Sequence, residues 1–229
     1  MHNLGLTESD ASRIRGIIAE VESSVRCEIG IAGSIAQRAL STEIATVLKG
    51  KKPGDIDLLL ISTDAAAPEL PRLRELFDVV EVVHDTGWYY GMRHKGTGTW
   101  VDLFTPLHSK NLASIELWGR TRFATALESQ ILYLAGDILR RSGTMYPIRS
   151  KWLTKLKQLN SLESVEWSKI QQEYNTHKEE FVSHFPKRYQ APGDVKEFVR
   201  MALDKKATPK YKDKLFLIYW QFFLRKNKA

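Results

Sequence analysis

The segment Gly54-Asp55-Ile56-Asp57-Leu58-Leu59-Leu60-Ile61 constrains the fold more than any other in the chain. Its apolar run predicts a central strand, where side chains alternate between faces, so Asp55 and Asp57 share one face while Ile56 and Leu58 point into a core. Two like charges on so apolar a segment cost free energy unless a cation neutralises them, and their hard oxygens suit Mg²⁺, with Mn²⁺ as a substitute. Asp102, in Trp100-Val101-Asp102-Leu103-Phe104, is again a single acid inside an apolar, strand-like run that a neighbouring strand would bring to the same place. Three carboxylates can bridge two divalent ions, as phosphoryl transfer requires. Plainer alternatives stand beside this. Asp55 after Pro53-Gly54 can end a turn, and Asp102 can pair with Arg93 or Lys95 across a hairpin.

The rest of the pattern places these acids in an α+β chain. Ala11, Ile14, Ile17, Ile18 and Val21 recur at helical spacing between Thr7 and Ser24, with Thr7 and Asp10 as a capping pair. Residues 27–33 read as a short buried strand, and Gly33-Ser34 opens a helix expected to run through Leu48. A helix over 68–78 and strands over 79–84, 88–94 and 98–106 follow, then a short strand over 115–118. From Thr121 the spacing predicts helices over 121–142, 150–159, 163–184, 192–204 and 210–226. The expected architecture is a mixed β-sheet domain flanked by helices over 1–120, followed by an all-helical, basic domain over 121–229.

Gly33-Ser34 sits between a strand and a helix, where glycine lets the backbone approach a ligand and the helix N-terminus offers amides to phosphate oxygens. Ser34 either adds its hydroxyl there or caps the helix. The order of the pieces, apolar strand, Gly33-Ser34, helix, Gly54-Asp55-Ile56-Asp57, then a lone Asp102, resembles the nucleotidyltransferase superfamily of DNA polymerase beta over roughly residues 26–104. That resemblance implies a family X polymerase-like palm. It assigns nucleoside triphosphate binding to Gly33 and Ser34, and both metals to Asp55 and Asp57. Asp102 would complete the site and activate the acceptor hydroxyl. Family X usually has an arginine three residues after the serine; here Gln37 holds that place and Arg38 follows it. Leu117-Trp118-Gly119-Arg120 is the nearest counterpart of the family's nucleotide-binding turn, which makes Trp118, Gly119 and Arg120 candidate nucleotide contacts, with Trp118 alternatively a core residue and Arg120 a surface charge.

Charge separates the functions this site could serve. Residues 1–144 carry 16 Lys+Arg against 18 Asp+Glu, whereas residues 145–229 carry 18 against 9, so the basic excess is confined to the C-terminal part. Arg149, Lys151, Lys155 and Lys157, then Lys205, Lys206, Lys210, Lys212 and Lys214, could follow a phosphate backbone, with Trp152, Trp167, Tyr189 and Trp220 interleaved. The first expectation is nucleotide addition to a nucleic-acid 3′ hydroxyl, as by a small DNA polymerase or terminal transferase. The alternative is transfer to a small molecule or a protein hydroxyl. A non-enzymatic nucleic-acid-binding module is a third reading, which the intact acids oppose. The lone Cys27 forms no internal disulfide, and no apolar run reaches the roughly 18 residues of a membrane span, so a cytoplasmic location is expected.

Overall fold

A computed structural model describes residues 4–61, 70–83, 89–104, 111–142, 146–183 and 190–209, with positions 212, 214, 215 and 218. The helix expected over 210–226, with Tyr219, Trp220, Phe222 and Phe223, lies outside the described residues, as does Tyr189. The chain divides into two compact units, Met1–Ala126 and Leu127–Ala229.

The first unit begins with α1 (Glu8–Ser24), whose N-cap Thr7 accepts the Asp10 amide, and buries Ile14, Ile17, Ile18 and Val21. It continues through β1 (Ile29–Ile31), α2 (Gly33–Leu40), α3 (Thr42–Val47), β2 (Asp55–Leu60), α4 (Leu70–Leu76) and β3 (Phe77–Val83). Then come β4 (Tyr89–His94), β5 (Trp100–Phe104), β6 (Leu112–Leu117) and β7 (Arg120–Thr125). The strands form one sheet ordered β3-β4-β5-β2-β1-β7-β6. β2 is antiparallel to β1 but parallel to β5, and β1 is parallel to β7. Alternation sends Ile56, Leu58, Val101, Leu103 and Ile31 into a core shared with α1 and α2. Burying each such side chain contributes about 1.5–3 kcal/mol.

Two differences from the expected elements have local causes. The single helix expected from Gly33 to Leu48 is interrupted at Ser41 (φ −138°, ψ 115°), whose hydroxyl accepts the Ile44 amide and starts α3. Residues 121–125, expected as helix, form β7: Thr121 and Phe123 are exposed while Arg122 and Ala124 are buried, a period of two that pairs with β6. The sheet unit therefore runs through Ala126 rather than ending at residue 120.

In the second unit the described elements are α5 (Leu127–Arg141), α6 (Ser150–Asn160), α7 (Trp167–Ser183) and α8 (Val195–Leu203). α5 packs on the other three through Ile131, Leu132, Ala135, Ile138 and Leu139, and the Tyr174 and Phe198 rings meet at 4.9 Å. Among the described residues no helix is long and apolar enough to cross a membrane.

Candidate active site

The two acid-bearing strands are neighbours in parallel, in a register that sets Asp57 level with Asp102 and Asp55 level with Trp100. Level residues of paired strands project to the same face, so Asp55, Asp57 and Asp102 all lie on the face opposite the Ile56–Leu58 core. Gly91 on β4 is level with Asp102 on its other side.

Each carboxylate is held differently. The Tyr89 hydroxyl donates to Asp102 Oδ1 at 2.8 Å and the Trp100 indole N–H donates to the same oxygen at 2.6 Å. Both donors are legible in the strand period, since Trp100 precedes Asp102 by two and Tyr89 precedes Gly91 by two, but they were not among the residues the sequence singles out. Asp57 leans on Gly33. A Cβ built on that glycine would lie 1.7 Å from Asp57 Oδ2 and 2.6 Å from its Cγ. Gly33 has φ +59°, and the Ala32 amide donates to the Asp57 carbonyl at 2.9 Å, fastening the end of β1 to β2. Ser34, in the first turn of α2, has a buried hydroxyl with no hydrogen-bond partner among the described residues. A polar oxygen closed off in this way costs free energy unless a ligand atom satisfies it.

The register thus brings Asp55, Asp57, Asp102, Gly33 and Ser34 to one end of β1, β2 and β5. Their side chains do not close on a common point: no cluster of three or more His, Cys, Asp or Glu able to hold a metal ion occurs among the described residues. Asp102 is turned to Tyr89 and Trp100, and Asp57 lies against Gly33. The donor chemistry nevertheless suits a hard divalent cation: three carboxylates share a face, and each is only partly buried.

Four other candidates stand elsewhere. Arg38 is 3% exposed, and its guanidinium donates to the carbonyls of Leu4 (2.9 Å), Gly5 (3.5 Å) and Lys51 (2.7 Å). It ties the N-terminal segment to the loop before β2, a strut rather than the phosphate contact expected of it. Burial pushes its pKa down from the ordinary arginine value. Trp118 (φ 52°) and Gly119 (φ +76°) are the two central residues of the β6–β7 hairpin, closed by the Leu117 and Arg120 pair. Because Ala124 is level with Ile31 in parallel strands, Arg120 lies about six residues, roughly 20 Å, behind Gly33 along the strand direction. The turn is therefore at the opposite end of the sheet from the acids, which corrects its expected role in nucleotide binding. Trp118 packs on the core and Arg120, 71% exposed, lies 3.7 Å from Glu22.

No family model and no curated protein matches the sequence. Solved structures do resemble the fold. An antigenic nucleotidyltransferase-like protein from Paracoccidioides brasiliensis aligns over 78% of this chain and 93% of its own at 16% identity, with a TM-score of 0.39. JHP933 from Helicobacter pylori aligns over 98% and 100% at 12% identity and 0.43. The solution structure of the antibiotic-resistance factor ANT(2'')-Ia aligns over 76% of this chain and 94% of its own, at 14% identity and a TM-score of 0.52. With its mixed sheet and flanking helices, the chain shares the α+β fold of ANT(2'')-Ia.

Proposed function

We propose that the chain is a metal-dependent nucleotidyltransferase that moves a nucleoside monophosphate from a nucleoside triphosphate to an acceptor hydroxyl, releasing pyrophosphate. The observation that carries this reading is the level pairing of Asp57 with Asp102 beside Gly33 and the unpartnered Ser34 hydroxyl. Asp55, Asp57 and Asp102 would hold Mg²⁺, which when bound supplies Lewis-acid stabilisation of phosphate charge. Ser34 donates its hydroxyl proton to a phosphate oxygen, and the free amides at the start of α2 add theirs. Asp102 orients the acceptor hydroxyl and takes its proton as the oxygen bonds to the α-phosphorus. The bond from that phosphorus to the pyrophosphate oxygen breaks in line. Tyr89 and Trp100 fix the Asp102 carboxylate while this happens.

The acceptor we favour is a nucleic-acid 3′ hydroxyl, because residues 145–229 hold the chain's basic excess. The fold shared with an antibiotic-resistance factor favours a second reading, a small-molecule hydroxyl as acceptor. Incubation with labelled nucleoside triphosphates, Mg²⁺ and either a primer, a primer-template, an RNA or a small-molecule polyol distinguishes them by which acceptor gains label. Asp57→Asn should abolish transfer to any acceptor with the fold retained. Transfer persisting at the wild-type rate in that variant would sink the assignment.

A further inference from the structure

The nucleotidyl-transfer reading leaves open what grips the acceptor, and one stretch of the second unit carries an answer. At the end of α5 and the start of α6, aromatic and cationic side chains alternate in a stack. Arg141 Cζ lies 5.6 Å from the Tyr146 ring centroid and 4.6 Å from that of Trp152, and Arg149 Cζ lies 5.8 Å from Trp152 on its own account. Tyr146 is 43% exposed, Arg149 and Lys151 are exposed, and Trp152 is half-buried. Asp137, which pairs with Arg140 and Arg141, is the one acid from residue 137 to residue 157, against six Arg and Lys. The N-terminal turn of α6 has no acid, and Arg149 at its N-cap makes no side-chain cap bond, so the helix dipole adds to the positive field.

The stack is also rigidly mounted. The Ile148 amide donates to Thr208 Oγ1 at 2.7 Å and the Thr208 amide donates to the Ile148 carbonyl at 2.7 Å. With Pro147 and Ile148 buried, this reciprocal pair fixes the short segment that carries Tyr146 and Arg149. It also brings the exposed Lys206 close in sequence to the same spot. Ordering these side chains before any ligand arrives lowers the entropy lost on binding.

We propose that the Tyr146–Arg141–Trp152–Arg149 stack holds a single-stranded nucleic acid, with a base against the exposed part of the Tyr146 ring and flanking phosphates beside Arg149 and Lys151. An acidic protein would satisfy the charge but has no use for an exposed ring. Duplex DNA would satisfy the charge but keeps its base faces stacked away. Of these three polymers the unpaired strand alone offers both phosphates and free π-faces. The inference rests on the reading of the chain as a transferase acting on a polynucleotide.

The test is fluorescence anisotropy of the full chain with labelled single-stranded DNA, single-stranded RNA and duplex DNA of about 12 nucleotides. The single strands should bind more tightly than the duplex, and the DNA and RNA arms identify the preferred sugar. Tyr146→Ala should weaken single-strand binding about fivefold or more while Tyr146→Phe stays within twofold. Arg149→Glu with Lys151→Glu should weaken it about tenfold or more and reduce the salt slope by about 1–2. Affinities of Tyr146→Ala and the double reversal within twofold of wild type on both single strands, or equal binding of the duplex, would overturn the proposal. Asp57→Asn should bind the strands normally while losing transfer. Wild-type binding with no transfer to any acceptor would therefore defeat the transferase reading alone, whereas normal strand binding by the stack variants would defeat this inference alone.

Discussion

The carboxylate of Asp57 occupies the space where Gly33 would carry a side chain: a Cβ there would lie 1.7 Å from Oδ2, on a backbone with φ +59°. The glycine is required twice over, for its left-handed conformation and for the approach of an acid from the next strand. Gly33→Ala should destabilise the fold by about 1–2 kcal/mol from backbone strain alone and, by displacing Asp57, lower transfer about 100-fold. Urea unfolding and initial rates check both. Asp57→Ala placed on top of Gly33→Ala should recover part of the stability and none of the activity, an interaction energy that a double-mutant cycle measures directly.

Asp102 Oδ1 receives two hydrogen bonds, from Tyr89 and Trp100, on the face it shares with Asp57. Tyr89→Phe removes one donor without changing the ring. If Tyr89 positions the acid rather than touching substrate, kcat should fall about tenfold while KM for the nucleoside triphosphate stays within about twofold, and Trp100→Phe should behave likewise. A rise in KM alone would mean that these side chains contact the nucleotide.

Arg38 separates structure from catalysis in the opposite sense. Truncating it removes the guanidinium donor from the Leu4 and Lys51 carbonyls, while the Gly5 carbonyl keeps the Gly50 amide at 2.9 Å, so Arg38→Ala should cost about 2–4 kcal/mol in chemical denaturation. Below the shifted melting temperature, KM for the nucleotide should match wild type. Arg38→Lys should recover little, since an ammonium cannot reach three carbonyls as the planar fork does.

How much of this the sequence carries depends on what each signal encodes. The β2 segment is legible because its alternation and its acids agree, and the lone strand-borne acid makes Asp102 legible too. Register is not written locally: nothing in either segment alone says that Asp57 and Asp102 fall level, which emerges from pairing between β2 and β5. Arg38 misleads because a helix-borne arginine near a glycine-serine turn looks the same whether it faces a ligand or three carbonyls. Residues 121–125 mislead because Thr121, Phe123 and Thr125 run directly into a strong helical period starting at Leu127. Trp118-Gly119 suggests a ligand turn by composition, while its two positive φ angles show it to be a hairpin connection that tightens two strands.

That hairpin supplies a control. Gly119→Ala forces a Cβ onto a residue at φ +76° and should lower stability by about 1 kcal/mol, although nothing lies within 4 Å of the added atom. Arg120→Ala removes an exposed charge facing Glu22 and should change stability by no more than about 0.5 kcal/mol. Neither should alter kcat or KM beyond the fraction unfolded. A selective loss of nucleotide affinity in either variant would return the turn to the active site.

Tyr174 gives the second unit a titration of its own. Its ring is fully buried against Phe198, its hydroxyl donates to the Pro192 carbonyl at 2.8 Å, and burial pushes its pKa up to about 12. Only the neutral phenol can donate, so the folded state holds the proton after the unfolded chain has released it at about pH 10. The stability associated with this group is therefore complete below pH 10 and is lost as pH rises from about 10 towards 12, where the unfolded state binds fewer protons than the folded one. Tyr174→Phe forfeits the hydrogen bond, about 1 kcal/mol at pH 8, but also abolishes this titration. Urea midpoints of the two proteins should differ at pH 8 and converge or cross by pH 11. A constant difference over that range would mean that the Tyr174 phenol ionises as freely in the folded chain as in the unfolded one.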